Sequence, residues 1–269
     1  MKSLKSLLRR ILPNFIVTLL RGRRPAWDFV LTQSLNIDLA AKLRILKQFE
    51  AVNQHVGAEH AEPEIFEVVN GLTRLNNAGI DGVVVECGTF KGASTCKLSI
   101  VARHLGRRVF AFDSFQGLPE TAVYSGNWGR GVAFDKGEYA ADYSVFLQSL
   151  RNYGEAEVTT VVKGWFQDTL PGFDEPIALL LLDVDLLSST KTCLHYLWPK
   201  LVAGAFMFSH DGHVGEIEQL FRNARYWTAE FGENPPEFID WPETAGLGQK
   251  KLVSARKRTA IPIGIRQQV

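Results

Sequence analysis

The chain has 269 residues, 46% hydrophobic and 22% charged, and Lys+Arg 30 against Asp+Glu 29 leave a net charge of +1. That length suits one large α/β domain with a small helical appendage. A chain so nearly neutral has no general attraction for polyanions, so nucleic acid is excluded as the expected partner.

The N-terminal stretch MKSLKSLLRRILPNFIVTLLRGRRP starts basic and turns apolar. Arg9 and Arg10 interrupt the apolar run, Pro13 breaks it, and no small-residue cleavage site follows, so it does not read as a signal peptide. It is also too short and too charged to span a bilayer. Two readings remain. The preferred one is a helix packed on the domain or on a second subunit of a homo-oligomer; the other is a basic amphipathic segment, residues 1–25, lying on a membrane surface.

From Asp28 to Asn77 the apolar spacing is helical, as in LAAKLRILKQFEAV and PEIFEVVNGLTRL. Residues 1–77 are therefore expected to form a helical extension and residues 78–269 the main domain. Short apolar runs follow: GVVVECG (82–88), RRVFAFD (107–113), EVTTVVKG (157–164), IALLLLDVD (177–185) and AGAFMFSHD (203–211). They are continuously apolar, as strands covered on both faces are. Helical segments Ser94–Leu105, Tyr143–Tyr153 and Thr190–Leu201 alternate with them. PPEFID and KKLVSARK, joined through the turn WPETAGLGQ, read as two last strands. The expected fold is a doubly wound, mostly parallel seven-stranded Rossmann-like sheet with helices on both faces. Cys87, Cys96 and Cys193 have no zinc-like spacing and read as buried thiols, which points to a reducing cytoplasm.

In such a sheet ligands bind beyond the carboxyl ends of the strands. The first strand ends in VVECGTFKGAST, where Gly88 and Gly92 can let a backbone approach a ligand closely. Neither G-x-G-x-x-G nor G-x-x-x-x-G-K-[ST] is present. Glu86 through Gly92 instead fits the [E/D]-x-G-x-x-x-G first loop common in methyltransferases. Asp113 ends the second strand, where an acid can accept from both ribose hydroxyls or merely cap a loop. In KGWFQDTLP, Trp165 or Phe166 can lie against an adenine or belong to the core. Together these strand ends describe a nucleoside pocket with no pyrophosphate site, which suits S-adenosylmethionine (SAM) better than NAD.

LLLLDVDLLSST carries two carboxylates after an apolar strand. Asp183 and Asp185 share one face if the strand continues. Such a pair needs a cation, a donor or a proton; alternatively Asp185 caps the helix beginning near Ser188. His210, Asp211 and His213 close the next strand, which brings Asp183 and Asp211 within reach of one ion. Oxygen ligands suit magnesium, manganese or calcium, and a histidine shifts the preference towards manganese or a softer ion. His213 reads as the start of the helix VGEIEQLF.

VVECGTFKGAST, FAFDSFQGLPE, KGWFQDTLP and LLLLDVDLLSSTKTCLHYLWPKLVAGA resemble, in order and spacing, the macrocin O-methyltransferase (TylF-type) family between Asp81 and Phe221. The resemblance implies a class I SAM-dependent methyltransferase that methylates a sugar hydroxyl of a small-molecule natural product, often with Mg2+ (or Mn2+). It implies that Glu86, Gly88, Asp113, Ser114 and Trp165 hold SAM, beside Gly92 and Phe166, that Asp183 and Asp211 bind the metal, and that Asp185 is the general base. The family has two adjacent acids and then an aromatic residue where this chain reads His210-Asp211-Gly212. His210 is then either a nitrogen ligand in the acid's place or the base, and Gly212 implies a different acceptor pocket. Two other readings stay open: a nucleotide-dependent oxidoreductase, and a non-catalytic SAM-binding protein at a membrane. The glycine- and aromatic-rich stretch 121–139 is the expected lid.

Overall fold

The computed structural model describes residues 14–57, 60–125, 131–239 and 251–258. Among them three helices come first: α1 (Asn14–Leu31), α2 (Leu39–His55) and α3 (Glu62–Asn77). Pro25 lies inside α1 and the helix kinks there, with Arg23 at φ 51°; proline removes a helical hydrogen bond and clashes with the preceding turn. The Asp38 carboxylate caps α2 by accepting from the Ala41 N–H at 2.7 Å. Phe66 of α3 meets Phe49 and Phe29, with ring centroids 5.4 and 5.9 Å apart. Each such buried ring contributes roughly 1.5–3 kcal/mol. Residues 1–13 of the basic N-terminal segment lie outside the described residues; further on, Thr18 is buried and donates to the Leu46 carbonyl at 3.1 Å. Among the described residues no helix is long and apolar enough to cross a membrane.

The sheet follows. Its strands are β1 (Val83–Cys87), β2 (Val109–Asp113), β5 (Thr159–Lys163), β6 (Ile177–Leu182), β7 (Leu201–Ser209), β8 (Phe238–Ile239) and β9 (Val253–Arg256). They lie in the order β5-β2-β1-β6-β7-β9-β8. β1 pairs in parallel with β2 and β6, β2 with β5, and β6 with β7, while β9 runs antiparallel to β7 and β8. β1 and β6 are buried along their whole length, which is why their sequences do not alternate. α1–α3 share one core with α4 (Ala93–His104) and α5 (Tyr143–Tyr153) on one face. α7 (Leu187–Leu197), α8 (Gly215–Arg222) and α9 (Ala224–Phe231) cover the other, beside the short α6 (Phe166–Thr169). The strand order reverses between β1 and β6, which opens a crevice at their carboxyl ends.

Three sequence expectations shift. The helix predicted at Thr190–Leu201 is α7, three residues earlier; it ends before Trp198-Pro199, and Leu201 already starts β7. β6 stops at Leu182, short of the predicted Asp185. The 121–139 stretch, expected as a lid and showing no clear periodicity, contains an antiparallel hairpin, β3 (Ala122–Tyr124) with β4 (Val132–Phe134). Its residues 126–130, and the turn at 241–249, lie outside the described residues.

Candidate active site

A cavity of ≈ 380 Å³ occupies the crevice, lined among others by Gly88, Thr89, Asp113, Ser114, Trp165 and Phe166 on one side. Asp183, Asp185, His210 and His213 line its other side. This volume falls in the range, roughly 300–1,000 Å³, of small-molecule sites. Of the five non-glycine residues with φ above zero among the described residues, Phe90, Tyr139 and Asp185 line this cavity; such strain persists only where surrounding structure enforces it.

Gly88 adopts φ +84°, and a Cβ there would lie 1.8 Å from the Asp183 carbonyl oxygen. The glycine therefore serves the approach of the ends of β1 and β6, rather than only that of a ligand. Asp113 organises the same loop. Its Oδ2 accepts from the N–H groups of Thr89 (2.7 Å) and Phe90 (3.1 Å), and its Oδ1 accepts from Phe115 N–H at 2.7 Å. A carboxylate offers about four acceptor positions, so Oδ1 keeps capacity for a ligand hydroxyl. The Ser114 hydroxyl donates to the Gly117 carbonyl at 3.3 Å.

Two residues assigned to SAM by the sequence lie elsewhere. Glu86 is fully buried, accepts from the Thr95 hydroxyl and does not line the cavity. Burial pushes its carboxyl up to about 7. Gly92 caps α4 at φ +90° and faces the Phe146 ring, where a Cβ would approach to 2.7 Å. Both support the loop from behind.

On the acidic side, β-ladder bonds continue past the strand ends: Asp183 N–H donates to the Cys87 carbonyl (3.0 Å) and His210 N–H to the Leu182 carbonyl (2.8 Å). Asp183 and His210 thus sit side by side. Asp185 converges with them through a left-handed backbone, φ 58°, not through strand alternation. Asp183, Asp185 and Asp211 each present an oxygen within 4.8 Å of the others. Asp211 is fully buried; its Oδ2 accepts from Val184 N–H at 3.1 Å, while its Oδ1 has no hydrogen-bond partner. Burial, then the Asp211 and Asp183 charges, push Asp185 up to about 9, and burial with Asp183 pushes Asp211 to about 7.

His210 bridges two carboxylates, with Nδ1 3.1 Å from Asp183 Oδ1 and Nε2 3.2 Å from Glu64 Oε2. Burial lowers its pKa, but Asp183 and Glu64 outweigh this and raise it to about 10. Both ring nitrogens face carboxylates, so in this arrangement His210 holds its protons rather than taking the proton-accepting role considered from the sequence. His213 lies two residues before α8 and does not begin it; it is buried, and its Nδ1 lies 3.3 Å from the His210 carbonyl. Leu186, not Asp185, occupies the N-cap of α7.

The sequence reading missed His60, Glu64 and Lys251. His60 Nε2 stands 3.2 Å from Asp183 Oδ2, outside hydrogen-bond geometry, and the His60 and His210 rings are 4.4 Å apart. Glu64 Oε1 accepts from the Lys251 N–H at 2.8 Å, which ties α3 to the start of β9. A side chain at Gly212 would meet the Lys251 carbonyl at 2.8 Å, so glycine there admits the Lys251 segment, and Lys251 lines the cavity. The hairpin is pinned above: Ser125 N–H donates to Glu216 Oε1 at 2.9 Å, and Leu187 N–H donates to the Tyr124 hydroxyl at 3.1 Å.

A doubly wound sheet of this strand order, with a glycine loop and an acid cluster facing each other across its switch point, defines a Rossmann-like methyltransferase architecture. The chain belongs to the macrocin-O-methyltransferase (TylF) family, whose profile matches residues 63–241. It is 32% identical over 166 residues to the 8-demethyl-8-(2,3-dimethoxy-alpha-L-rhamnosyl)-tetracenomycin-C 4'-O-methyltransferase of Streptomyces olivaceus, covering 55% of this chain and 64% of that protein. It is 30% identical over 158 residues to the demethyldecarbamoylnovobiocin O-methyltransferase of Streptomyces niveus, covering 52% and 60%. The matched stretch thus spans less than two thirds of either relative. The O-methyltransferase NovP shares the fold at a TM-score of 0.59 and 21% identity, over 76% of this chain and 84% of that one. The calicheamicin methyltransferase CalS11 does so at 0.54 and 16%, over 93% and 96%.

Proposed function

We propose that this protein is a SAM-dependent O-methyltransferase acting on a hydroxyl of a sugar or of a glycosylated or polyketide small molecule. The observation that carries the reading is one cavity with the Gly88 loop, Asp113 and Trp165 on one wall and Asp183 and Asp185 on the other, with Asp211 buried behind them. The sugar and antibiotic acceptors named for the two Streptomyces relatives support the acceptor class.

SAM, when bound, supplies an electrophilic methyl group on a sulfonium. Asp113 Oδ1 would accept from the ribose, Ser114 and the Gly88 loop would bound the nucleoside, and Trp165 and Phe166 would flank the base. The residues also fit a divalent cation. Asp211 Oδ1 is buried without a partner, and three carboxylates converge there. Asp183 and Asp211 would hold Mg2+ or Mn2+, with His210 beside them, and the cation's chemistry would be to lower the pKa of an acceptor hydroxyl. With a cation offsetting the Asp183 and Asp211 charges that help hold its carboxyl protonated, an Asp185 oxygen would take the proton of that hydroxyl. The hairpin contributes Phe134 to the cavity wall.

Residues 1–77 form in this reading an extension to the 78–269 domain, and its His60 and Glu64 stand beside Asp183 and His210. Three buried free thiols support a cytoplasmic setting. The exposed Leu20, Trp27, Leu31 and Leu35 support a contact of the extension with a second copy or a membrane surface. The test is incubation with methyl-labelled SAM and a panel of 6-deoxyhexose glycosides. Labelled ether on a sugar oxygen, lost in Asp185→Asn, is expected. Label on nitrogen or carbon, or the same yield from the variant, would overturn the reading.

A further inference from the structure

His60 is not explained by the reaction above. Its side chain is only 10% exposed, in a protein where buried polar atoms are nearly always paired, yet Nε2 has no hydrogen bond. It points at Asp183 Oδ2 from 3.2 Å, while His210 Nδ1 stands 3.1 Å from Asp183 Oδ1. One ligand atom from each of the three residues lies within 4.8 Å of the others. Two ligands about 2.1 Å from one metal ion are separated by about 3.0–3.4 Å for bond angles between octahedral and tetrahedral, so both spacings suit a shared ion. A second feature points the same way. A metal-bound imidazole commonly donates its other N–H to a carboxylate, which fixes the tautomer. His210 Nε2 faces Glu64 Oε2 at 3.2 Å, and Glu64 is held by N–H groups of Ala61 (3.1 Å) and Lys251 (2.8 Å). That leaves Nδ1 turned towards Asp183.

We propose that His60, His210 and Asp183 form a mixed nitrogen–oxygen metal site that takes a borderline divalent transition ion in preference to Mg2+, with Glu64 as the positioning residue for His210. Two imidazoles and a carboxylate match the donor preference of the Mn2+-to-Zn2+ series, whereas Mg2+ prefers oxygen and retains its waters. The site shares Asp183 with the three-carboxylate cluster, so it extends the metal side of the proposed function, but its existence requires no methyl transfer.

The test is a Co2+ titration of the intact, metal-free protein with no SAM and no acceptor present, read by visible ligand-field absorption. One equivalent should bind and resist an excess of Mg2+. His60→Ala should weaken it about tenfold or more, and Glu64→Gln by about 10–100-fold, the range for losing a partner of a metal-bound histidine. If a variant does not fold, pulsed EPR of the Mn2+-loaded wild type decides alone, because nitrogen couplings from both imidazoles are expected. Displacement of Co2+ by comparable Mg2+, or Mn2+ without those couplings, would overturn the site. Such a failure leaves the methyltransferase reading intact. Conversely, nitrogen-bound metal with no methyl transfer from SAM would count against that reading alone.

Discussion

Gly88→Ala is the perturbation whose cost follows most directly from backbone geometry. At φ +84° an L-residue carries a left-handed penalty of roughly 1–2 kcal/mol. The new Cβ would sit 1.8 Å from the Asp183 carbonyl oxygen, a backbone atom that cannot swing away. Relief requires the ends of β1 and β6 to separate, and overpacking of this kind costs roughly 1–3 kcal/mol more. The sum is about 2–5 kcal/mol. Gly106→Ala is the control: φ is +67°, and nothing lies within 4 Å of its Cβ position, so only the backbone penalty applies. Urea unfolding of both variants isolates the steric part as their difference. Because the Gly88 loop itself bounds the proposed nucleoside site, Gly88→Ala should also weaken S-adenosylhomocysteine binding, whereas Gly106→Ala should not. Equal destabilisation by the two variants would refute the close-approach role of Gly88.

Asp185→Asn should lower kcat by about 10²–10⁴, the range for losing a general base, with SAM affinity changed by no more than a few-fold in a binding titration. Asp183→Asn should abolish turnover with the same small effect on SAM. In chelator, stability should fall as pH rises from about 7 to about 9. His210 is raised from 6.5 to about 10, and Asp185 from 3.8 to about 9. Each keeps its proton in the fold after the unfolded chain has released it, so its stabilisation is lost as pH climbs towards those values. Denaturant midpoints across that window check the sign, and Asp185→Asn should flatten the slope. Lys97→Met strands Glu62, its partner at 2.9 Å, in an interior where the lysine side chain is only 2% exposed. It should cost about 3–5 kcal/mol by urea unfolding, much of it recovered in Lys97→Met/Glu62→Leu.

The sheet was legible because β1 and β6 are buried on both faces and therefore spell unbroken apolar runs, and because glycine and aspartate punctuate their ends. Asp183 and Asp211 were legible as strand ends on neighbouring strands. The route by which Asp185 joins them was not, since a left-handed φ at a non-glycine residue leaves no mark in sequence. Glu86 was misplaced because its i+2 relation to Gly88 says nothing about which way the side chain turns, and here it turns into the core towards Thr95. His60 and Glu64 were invisible for another reason. Glu64 lies 146 residues from His210, and its neighbourhood reads as an ordinary helix start, where it does accept from Ala61 N–H. A local explanation concealed a long-range one. The hairpin at 122–134 has three-residue strands, too short for alternation to stand out.

Central to all of this is that the cavity beside Asp113 and Trp165 receives SAM rather than a dinucleotide. Calorimetric titration of the intact protein with S-adenosylhomocysteine and, separately, with NAD tests it directly. Saturable one-site binding of S-adenosylhomocysteine with no heat from NAD is expected, because no glycine loop cradles a pyrophosphate. Binding of NAD with none of S-adenosylhomocysteine would contradict the assignment and restore the oxidoreductase reading.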